Sequence, residues 1–569
     1  MSENLSRVLQ HLSLGSSLNE QGLPEDAVQC YREGLAICPD NAELWFNLGN
    51  SFLKLSKLSD AVEALQQAIA LKPDFAGAYI NLGNALNEQG LSENAIQCYR
   101  NGLAVCPGNA HLWYNLGTAL IELPNLPEAL QALQQAIALK PDLANAYINL
   151  GHALKQQGLP ENAIQYYRQG LAICPDDAQL WFSLGTAFLE LQKHPEAVEA
   201  LQQTIACQPD FADAYTNLGI ALQYQGKVEN AIIAYNQALT LDSKNPEIYH
   251  NRSLAILLSG DLARGFAEYE WRRKANRYRH SYDWCDDRPQ WCGEYFSGKR
   301  LLIFHEQGYG DALQFCRYLP LVKARGGIVQ FSAPQPLLRL FGHLSGIDEL
   351  IEHTPAAIFR THFDLAVPLL SLPHIFGTTL PTIPSDIPYL TADQHCINIW
   401  QDKMKRPGSN LRVGLVWAGN PKNIPWQIRT CGLQAMSPLA SISGVTFYSL
   451  QKGEAAGEAA TPPPGMRLID LTDDIDDFAD TAALIMNLDL IIAVDTSVAH
   501  LAGALGKPVW TLLPAINTWR WLMARNDSPW YPTMRLFRQS APGDWTGVMT
   551  TVAQELSHAE CERKLKYSE

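Results

Sequence analysis

The sequence predicts a multidomain chain: an all-α superhelix of repeated helix pairs, then an α/β half built on two parallel sheets. Three observations carry this reading. Glycines recur every 34 residues through the first half, and from Leu301 onward short apolar runs alternate with helical segments. A charged, Pro-Gly-containing break at Lys403–Asn410 then divides those runs into two sets. Strands that alternate with helices pair in parallel. At 569 residues and 47% hydrophobic content, the chain is long enough for several cores.

The repeats come first. "ELWFNLGN", "GAYINLGN", "HLWYNLGT", "NAYINLGH", "QLWFSLGT" and "DAYTNLGI" carry Gly49, Gly83, Gly117, Gly151, Gly185 and Gly219, and Gly15 and Ser253 extend the register. Within one period Trp45, Leu48, Gly49, Ala61, Leu65, Ala68 and Pro73 fall at the spacing of the tetratricopeptide pattern, which this array resembles. Small residues let two helices approach, and Pro73 stops the second. Trp45, Trp113 and Trp181 alternate with Tyr79, Tyr147 and Tyr215, which suggests growth by copying a two-repeat block. Cys38, Cys106 and Cys174 follow the same 68-residue spacing and belong to packing.

Stacked units of this kind create a long groove suited to a peptide partner. One column stands out there: Asn47, Asn81, Asn115, Asn149, Asn217 and Asn251, with Ser183 in the gap. An amide both donates and accepts, so the column can hold a peptide backbone without reading its sequence. The other reading is that each Asn bonds the neighbouring repeat. The array is expected over residues 1–258 and a linker over 259–298, where the basic run "EYEWRRKANRYRH" reads as a solvated face.

In the α/β half, "LLIF", "IVQFSA", "DELIEH" and "DLAVPL" form a first strand set, and "RVGLVWAG", "VTFYSL", "MRLIDL", "LDLIIAV" and "PVWTLL" a second. Two Rossmann-like domains are expected, at 299–395 and 411–545, with a linker at 396–410 and a terminal helix or tail at 546–569. Ligands bind in the crevice at the carboxyl ends of such strands.

Two turns hold the candidate chemistry. "LLIFHEQGYGDALQFCRYLP" runs from a strand through Gly308 and Gly310 into a helix, but Leu313 stands where a dinucleotide fingerprint needs its third glycine. Asp311 in the first turn repels phosphate, so this loop serves another ligand, or Asp311 simply caps the helix. "LDLIIAVDTSVAHLAGALGKPVW" is the opposite case. Asp495 ends a strand, and Thr496 and Ser497 open a small-residue helix whose free amides suit a diphosphate. His500 is either a phosphate donor or a core histidine.

Asn420, Lys422 and Arg429 follow another strand, and "YSLQKG" places Gln451 and Lys452 similarly. A guanidinium at a strand's carboxyl end suits bidentate phosphate binding. The acid-rich "DLTDDIDDFAD" reads as helix capping, not a metal site.

Taken together, "EQGYGDALQFCRYLP", "VGLVWAGNP", "SLQKG", "DFADTAALIMNLDLIIAVDTSVAHLAGALGKPVWTLLP" and "WRWL…DSPWYPTMRLFRQ" resemble the glycosyltransferase domain of bacterial tetratricopeptide-repeat proteins. That domain is similar to glycosyltransferase family 9, the ADP-heptose:lipopolysaccharide heptosyltransferases. The resemblance covers about Lys299 to Gln539. It implies a GT-B fold and inverting, metal-independent hexosyl or heptosyl transfer from a nucleotide-diphosphate sugar, with no cofactor. It also implies that Asp311 is the general base, with Gln307, Gly308, Gly310 and Gln314 on the acceptor side. Asp495, Thr496, Ser497 and His500, joined by Asn420, Arg429, Gln451 and Lys452, would hold the donor.

The chain departs from the pattern in "NPKNIPWQIRTCGL", which keeps Arg429 but replaces much of the loop before it. The alternative reading is therefore a repeat scaffold whose nucleotide-binding half is inactive. The layout is also similar to eukaryotic O-GlcNAc transferase, including the Asn column.

Composition excludes other classes. A net charge of −15 argues against a nucleic-acid partner. The start shows no charged n-region with an apolar h-region, and the most apolar stretch is broken by Asp495 and His500, so a cytoplasmic protein with no membrane span is expected. Twelve cysteines without C-x-x-C give neither a disulfide framework nor a zinc site.

Overall fold

Asn41, Asn109 and Asp177 each start a helix by the same bond. The side chain accepts from the backbone N–H of Leu44 (2.9 Å), Leu112 (3.1 Å) or Leu180 (2.8 Å). Their 68-residue spacing carries the two-repeat block into the structure. The structure, a computed structural model, describes residues 2–123, 125–285, 288–404, 410–420 and 429–568. Among the described residues sixteen α-helices run from Ser2–Glu20 to Leu262–Tyr269, most of them 13 or 14 residues long.

Within a repeat the recurring glycine is a seat for one large side chain. A Cβ on Gly49 would lie 2.7 Å from Cγ of Leu65, and one on Gly83 would lie 2.2 Å from the Tyr99 ring. Leucine seats (Leu65, Leu133, Leu201) alternate with tyrosine seats (Tyr31, Tyr99, Tyr167) along the array. Junctions between repeats alternate too. Gly34, Gly102 and Gly170 meet Leu44, Leu112 and Leu180 of the next repeat, whereas one repeat along, the same positions hold Ala68 and Ala78. The chain forms two compact units, the first ending at Ala221 and the second beginning at Leu222.

The second unit holds the last repeat helices (Val228–Leu241, Pro246–Ser259 and Leu262–Tyr269) and both sheets. The first sheet has parallel strands β1 (Arg300–Phe304), β2 (Ile328–Ala333), β3 (Glu349–Glu352) and β4 (Leu365–Pro368) in the order β3-β2-β1-β4. The second has β5 (Leu411–Val416), β6 (Val445–Ser449), β7 (Leu468–Asp470), β8 (Leu490–Val494), β9 (Val509–Leu513) and β10 (Met534–Arg538) in the order β10-β9-β8-β5-β6-β7. All its pairings are parallel. The second order is that of a doubly wound sheet, and the strand order reverses between β5 and β8, where such sheets hold their ligands. Nine of these strands coincide with expected apolar runs, while β10 went unread because Arg535 and Arg538 interrupt its pattern.

Two stretches expected as linkers contain ordered structure. Gln394–Lys403 is a helix capped by Asp393, which accepts from Cys396 N at 2.9 Å, and Trp400 on it is buried. In 259–298 the basic run is solvated at Lys274, Arg277 and Arg279, but one of its arginines is turned inward. Arg272 is fully buried; its Nε donates to Glu306 Oε2 (3.0 Å), and its Nη2 donates to Glu306 Oε1 (2.9 Å) and Ser371 Oγ (2.9 Å). Nη1 donates to Glu270 (2.7 Å), and the Tyr282 hydroxyl donates to Glu306. Burial opposes the charge, but Glu306, Glu270 and Tyr282 outweigh it and keep the guanidinium protonated. Glu306 stands two residues past β1, so this network ties the end of the repeats to the start of the Asp311 turn.

Candidate functional site

The site assembles where two helix starts meet. After β1, Gln307 turns with φ 71° and its amide exchanges hydrogen bonds with the Tyr269 hydroxyl, Nε2 donating at 2.9 Å. Gly308 is the N-cap of the helix Tyr309–Phe315. Asp311 does cap that helix, accepting from Gly308 N at Oδ2 (2.9 Å). Its other oxygen accepts from Arg520 Nη2, and Arg520 Nε donates to Gln314 Oε1 at 2.8 Å. Gln307, Gly308, Gly310, Asp311 and Gln314 therefore do form one lip.

The facing lip follows β8. Thr496 is the N-cap of the helix Ser497–Ala504 in extended conformation, and no side chain caps that helix start. The Thr496 hydroxyl has no partner among the described residues. A Cβ on Gly310 would lie 3.0 Å from His500 Cδ2 and 3.7 Å from Ser497 Cα, so the two lips are in contact at this point. Asp495 is no cap. It lies buried beneath the turn, with Arg429 Nη1 at 3.5 Å and His500 Nε2 at 3.8 Å. Burial raises its pKa, yet Arg429, His500 and Arg520 together hold it below the ordinary value, so it stays ionised.

His500 proves to be a core histidine. It is 4% exposed, its Nδ1 lies 2.9 Å from the Tyr531 hydroxyl, and its ring stacks on Trp521 with centroids 5.3 Å apart. Burial pushes its pKa down to about 4, with Asp495 and Asp311 opposing and Arg520 and Arg317 adding to the shift. A neutral imidazole braced on Tyr531 supports the turn and does not supply a cation to it.

The remaining expected donor residues divide. Arg429 is at the site, 32% exposed and aimed at Asp495. Gln451 is not available to a ligand: its Oε1 accepts from Trp417 N (3.1 Å) and Ala418 N (2.9 Å), and its Nε2 donates to Ala418 O (3.2 Å) and Lys452 O (2.9 Å). It shapes the carboxyl end of β5. Lys452 Nζ donates to the carbonyls of Thr472 (2.8 Å) and Ile475 (3.1 Å), which holds that ammonium beside β7. Asn420 is exposed just beyond β5, and Lys422 lies outside the described residues. The acid-rich run caps and clasps: Asp477 accepts from Ala479 N (2.8 Å), and Asp477 and Asp480 both pair with Arg339 at 2.9 and 2.7 Å.

Two arginines escaped the sequence reading. Arg520, between buried Trp519 and Trp521, crosses the cleft to Asp311. Arg317 is buried among Tyr389, Trp530 and Tyr531, donating to Trp530 O (2.8 Å), Pro384 O (3.1 Å) and the Tyr389 hydroxyl (2.8 Å). Their signal was local, an arginine set among aromatic residues in "WRWL" and "FCRYLP".

In the repeats, the Asn column is half-buried. Asn81 Nδ2 donates to Asn50 Oδ1 (2.6 Å) and Asn149 Nδ2 to Thr118 Oγ1 (2.9 Å), both in the preceding repeat. Ser183, in the gap, is buried with its hydroxyl unpartnered among the described residues. At Asn81 and Asn149 the amide thus bonds the neighbouring repeat. No such bond is made by Asn47, Asn115, Asn217 or Asn251 side chains among the described residues.

Comparison with known proteins agrees with this division. Tetratricopeptide-repeat profiles match residues 15–56, 49–90, 83–123, 119–158, 142–210 and 182–246. The profile of glycosyltransferase family 9 (heptosyltransferase) matches residues 476–530, the stretch holding Asp495, the Ser497 helix and Arg520. Protein FlbA of Caulobacter vibrioides is 28% identical over 289 residues, 47% of this chain and 48% of that protein. The chain thus spans about half the length of this curated relative. Among solved structures, the TPR protein YrrB is 24% identical over 32% of this chain and 95% of its own, with a TM-score of 0.28. The Cut9 and Hcn1 assembly of the APC/C is 20% identical over 42% of this chain and 48% of its own, with a TM-score of 0.35. These findings support repeats joined to a family 9-like region; they lend nothing to the expected likeness with O-GlcNAc transferase.

Proposed function

We propose that the chain is an inverting glycosyltransferase of GT-B type, moving a sugar from a nucleotide-diphosphate donor to a hydroxyl acceptor, a peptide presented by the repeat groove. One observation carries this reading: the Asp311 turn touches the uncapped helix start at Ser497, with Arg429 and Arg520 beside it. A helix start with a guanidinium at a doubly wound switch point suits a diphosphate. A carboxylate facing it suits the acceptor's proton.

In the reaction the acceptor oxygen bonds to the anomeric carbon as the bond from that carbon to the diphosphate breaks. The hydroxyl proton passes to Asp311, and the nucleoside diphosphate leaves with the electron pair. The first-turn amides, the Thr496 and Ser497 hydroxyls and Arg429 meet the growing negative charge, and fixed donors of this kind often contribute most of an enzyme's rate acceleration. Arginine countercharge makes this a metal-independent scheme. The groove side rests on the amides at Asn47, Asn115 and Asn217, which are not committed to a neighbouring repeat.

One observation favours the inactive-scaffold reading: both oxygens of Asp311 are engaged, by Gly308 N and by Arg520. Thermal unfolding with ADP, GDP, UDP and dTDP separates the two. A ligand at 100 times its dissociation constant adds about 2.7 kcal/mol. One nucleotide should raise the transition of the α/β half, and Arg429→Ala should remove the rise. With that donor class, Asp311→Asn should cut turnover at least ~100-fold. Nucleotide binding with no transfer or donor hydrolysis in the wild type leaves only the scaffold reading.

A further inference from the structure

Arg520 occupies the oxygen that a general base needs. Its Nη2 donates to Asp311 Oδ1 while its Nε donates to Gln314 Oε1 (2.8 Å), so the guanidinium spans two residues one turn apart on the opposite lip. Both ends of this ion pair are shielded, with side chains 15% and 14% exposed. The N–H on Oδ1 takes up one of its lone pairs and the side that faces Arg520, so an acceptor hydroxyl meets a carboxylate already engaged at both oxygens.

The same guanidinium sits beside the expected diphosphate. Its neighbour Trp521 stacks on His500, one turn into the Ser497 helix, and Gly310 closes against that helix from the other side. Arg520 is also close enough to the foot of that turn to act on Asp495, where it joins Arg429 in holding the carboxyl below its ordinary value. A diphosphate presents more charge and more acceptor oxygens than one carboxylate, and arginine binds it in bidentate fashion.

Building on the transferase reading, we propose that Arg520 is exchanged between Asp311 and the donor's diphosphate, so that donor binding is what uncovers the base. Arg520 is then a positioning residue for Asp311 and a ligand of the donor in turn. The arrangement enforces donor-first order: without the nucleotide sugar, Asp311 cannot take a proton from any acceptor.

The exchange makes Asp311 a competitor of the donor, and that competition is measurable without an acceptor. The probe is the nucleoside diphosphate that raises the thermal transition, titrated calorimetrically into wild type, Asp311→Asn, Arg520→Gln and the double variant. Asn keeps an acceptor for the Gly308 cap but removes the charge. The expected result is binding about three- to tenfold tighter in Asp311→Asn, a scale set by the net contribution of one ordinary hydrogen bond. Binding should weaken in Arg520→Gln, and in that background Asp311→Asn should change nothing. Arg520→Lys serves if Arg520→Gln does not fold, and should fall between the two. Equal affinity in wild type and Asp311→Asn, or the same tightening in both backgrounds, overturns the exchange and leaves the transferase reading standing. Absence of binding in all variants and in wild type removes the transferase reading and the exchange with it.

Discussion

His500 shows how far a residue's environment departs from its position in a motif. In the sequence it follows Thr496 and Ser497 at the spacing of a phosphate-binding turn, yet the fold encloses it against Tyr531 and Trp521 and drives its pKa down to about 4. The unfolded chain protonates this ring near its ordinary pKa of about 6.5. Between those values the unfolded state therefore binds more protons, so stability is full above about pH 6.5 and declines as pH falls toward 4. His250 and His353, also pushed to about 4 by burial, act in the same direction. We expect urea midpoints to drop across this window, with each histidine contributing up to ~1.4 kcal/mol per pH unit. His500→Gln should flatten the slope; an unchanged slope would mean that the imidazole is not excluded from protonation. Asp311 and Ser497 were legible because helix-start chemistry is local. Arg520 was not, since its partner lies 209 residues away and only the folded cleft brings them together.

At the scale of elements, nine of the ten strands were readable from apolar runs, but their order in the sheets and the fastening of the repeats to the first sheet were not. Arg272 sits in a run of basic residues that reads as solvated, and its partner Glu306 follows β1 after 34 residues. Nothing in either neighbourhood announces burial, because a charged pair satisfies itself and leaves no hydrophobic trace. Removing one partner of such a pair leaves an uncompensated charge and costs about 3–5 kcal/mol. Arg272→Met is expected to destabilise the α/β half by that amount in urea unfolding, and Arg272→Met with Glu306→Leu should recover much of it. Because Glu306 precedes Gln307 and the Asp311 turn, the single variant should also weaken nucleotide binding. If Arg272→Met alone is neutral, the network is not what holds the turn.

For the whole molecule, the alternation between leucine and tyrosine repeats sets a rule about length. A tyrosine repeat offers Gly102 to Leu112 of its successor, and a leucine repeat offers Ala68 where its successor has Ala78. Joining two repeats of the same kind breaks this volume match. A tyrosine repeat followed by another would face an alanine across a glycine and leave a void, and two leucine repeats in sequence would press a leucine onto an alanine. Cores resist both errors, by roughly 2–5 kcal/mol for a void left by leucine and 1–3 kcal/mol for overpacking. Excising the 34 residues 76–109, which brings Leu112 onto Ala68, should therefore lower the melting transition of the array markedly, whereas excising the 68 residues 76–143, which brings Ala146 there instead, should leave it close to its starting point. Equal losses would show the junctions to be interchangeable. If they are not, this lineage can lengthen or shorten its reach only in even steps, and relatives with an odd count should carry a repaired seam where the parity breaks.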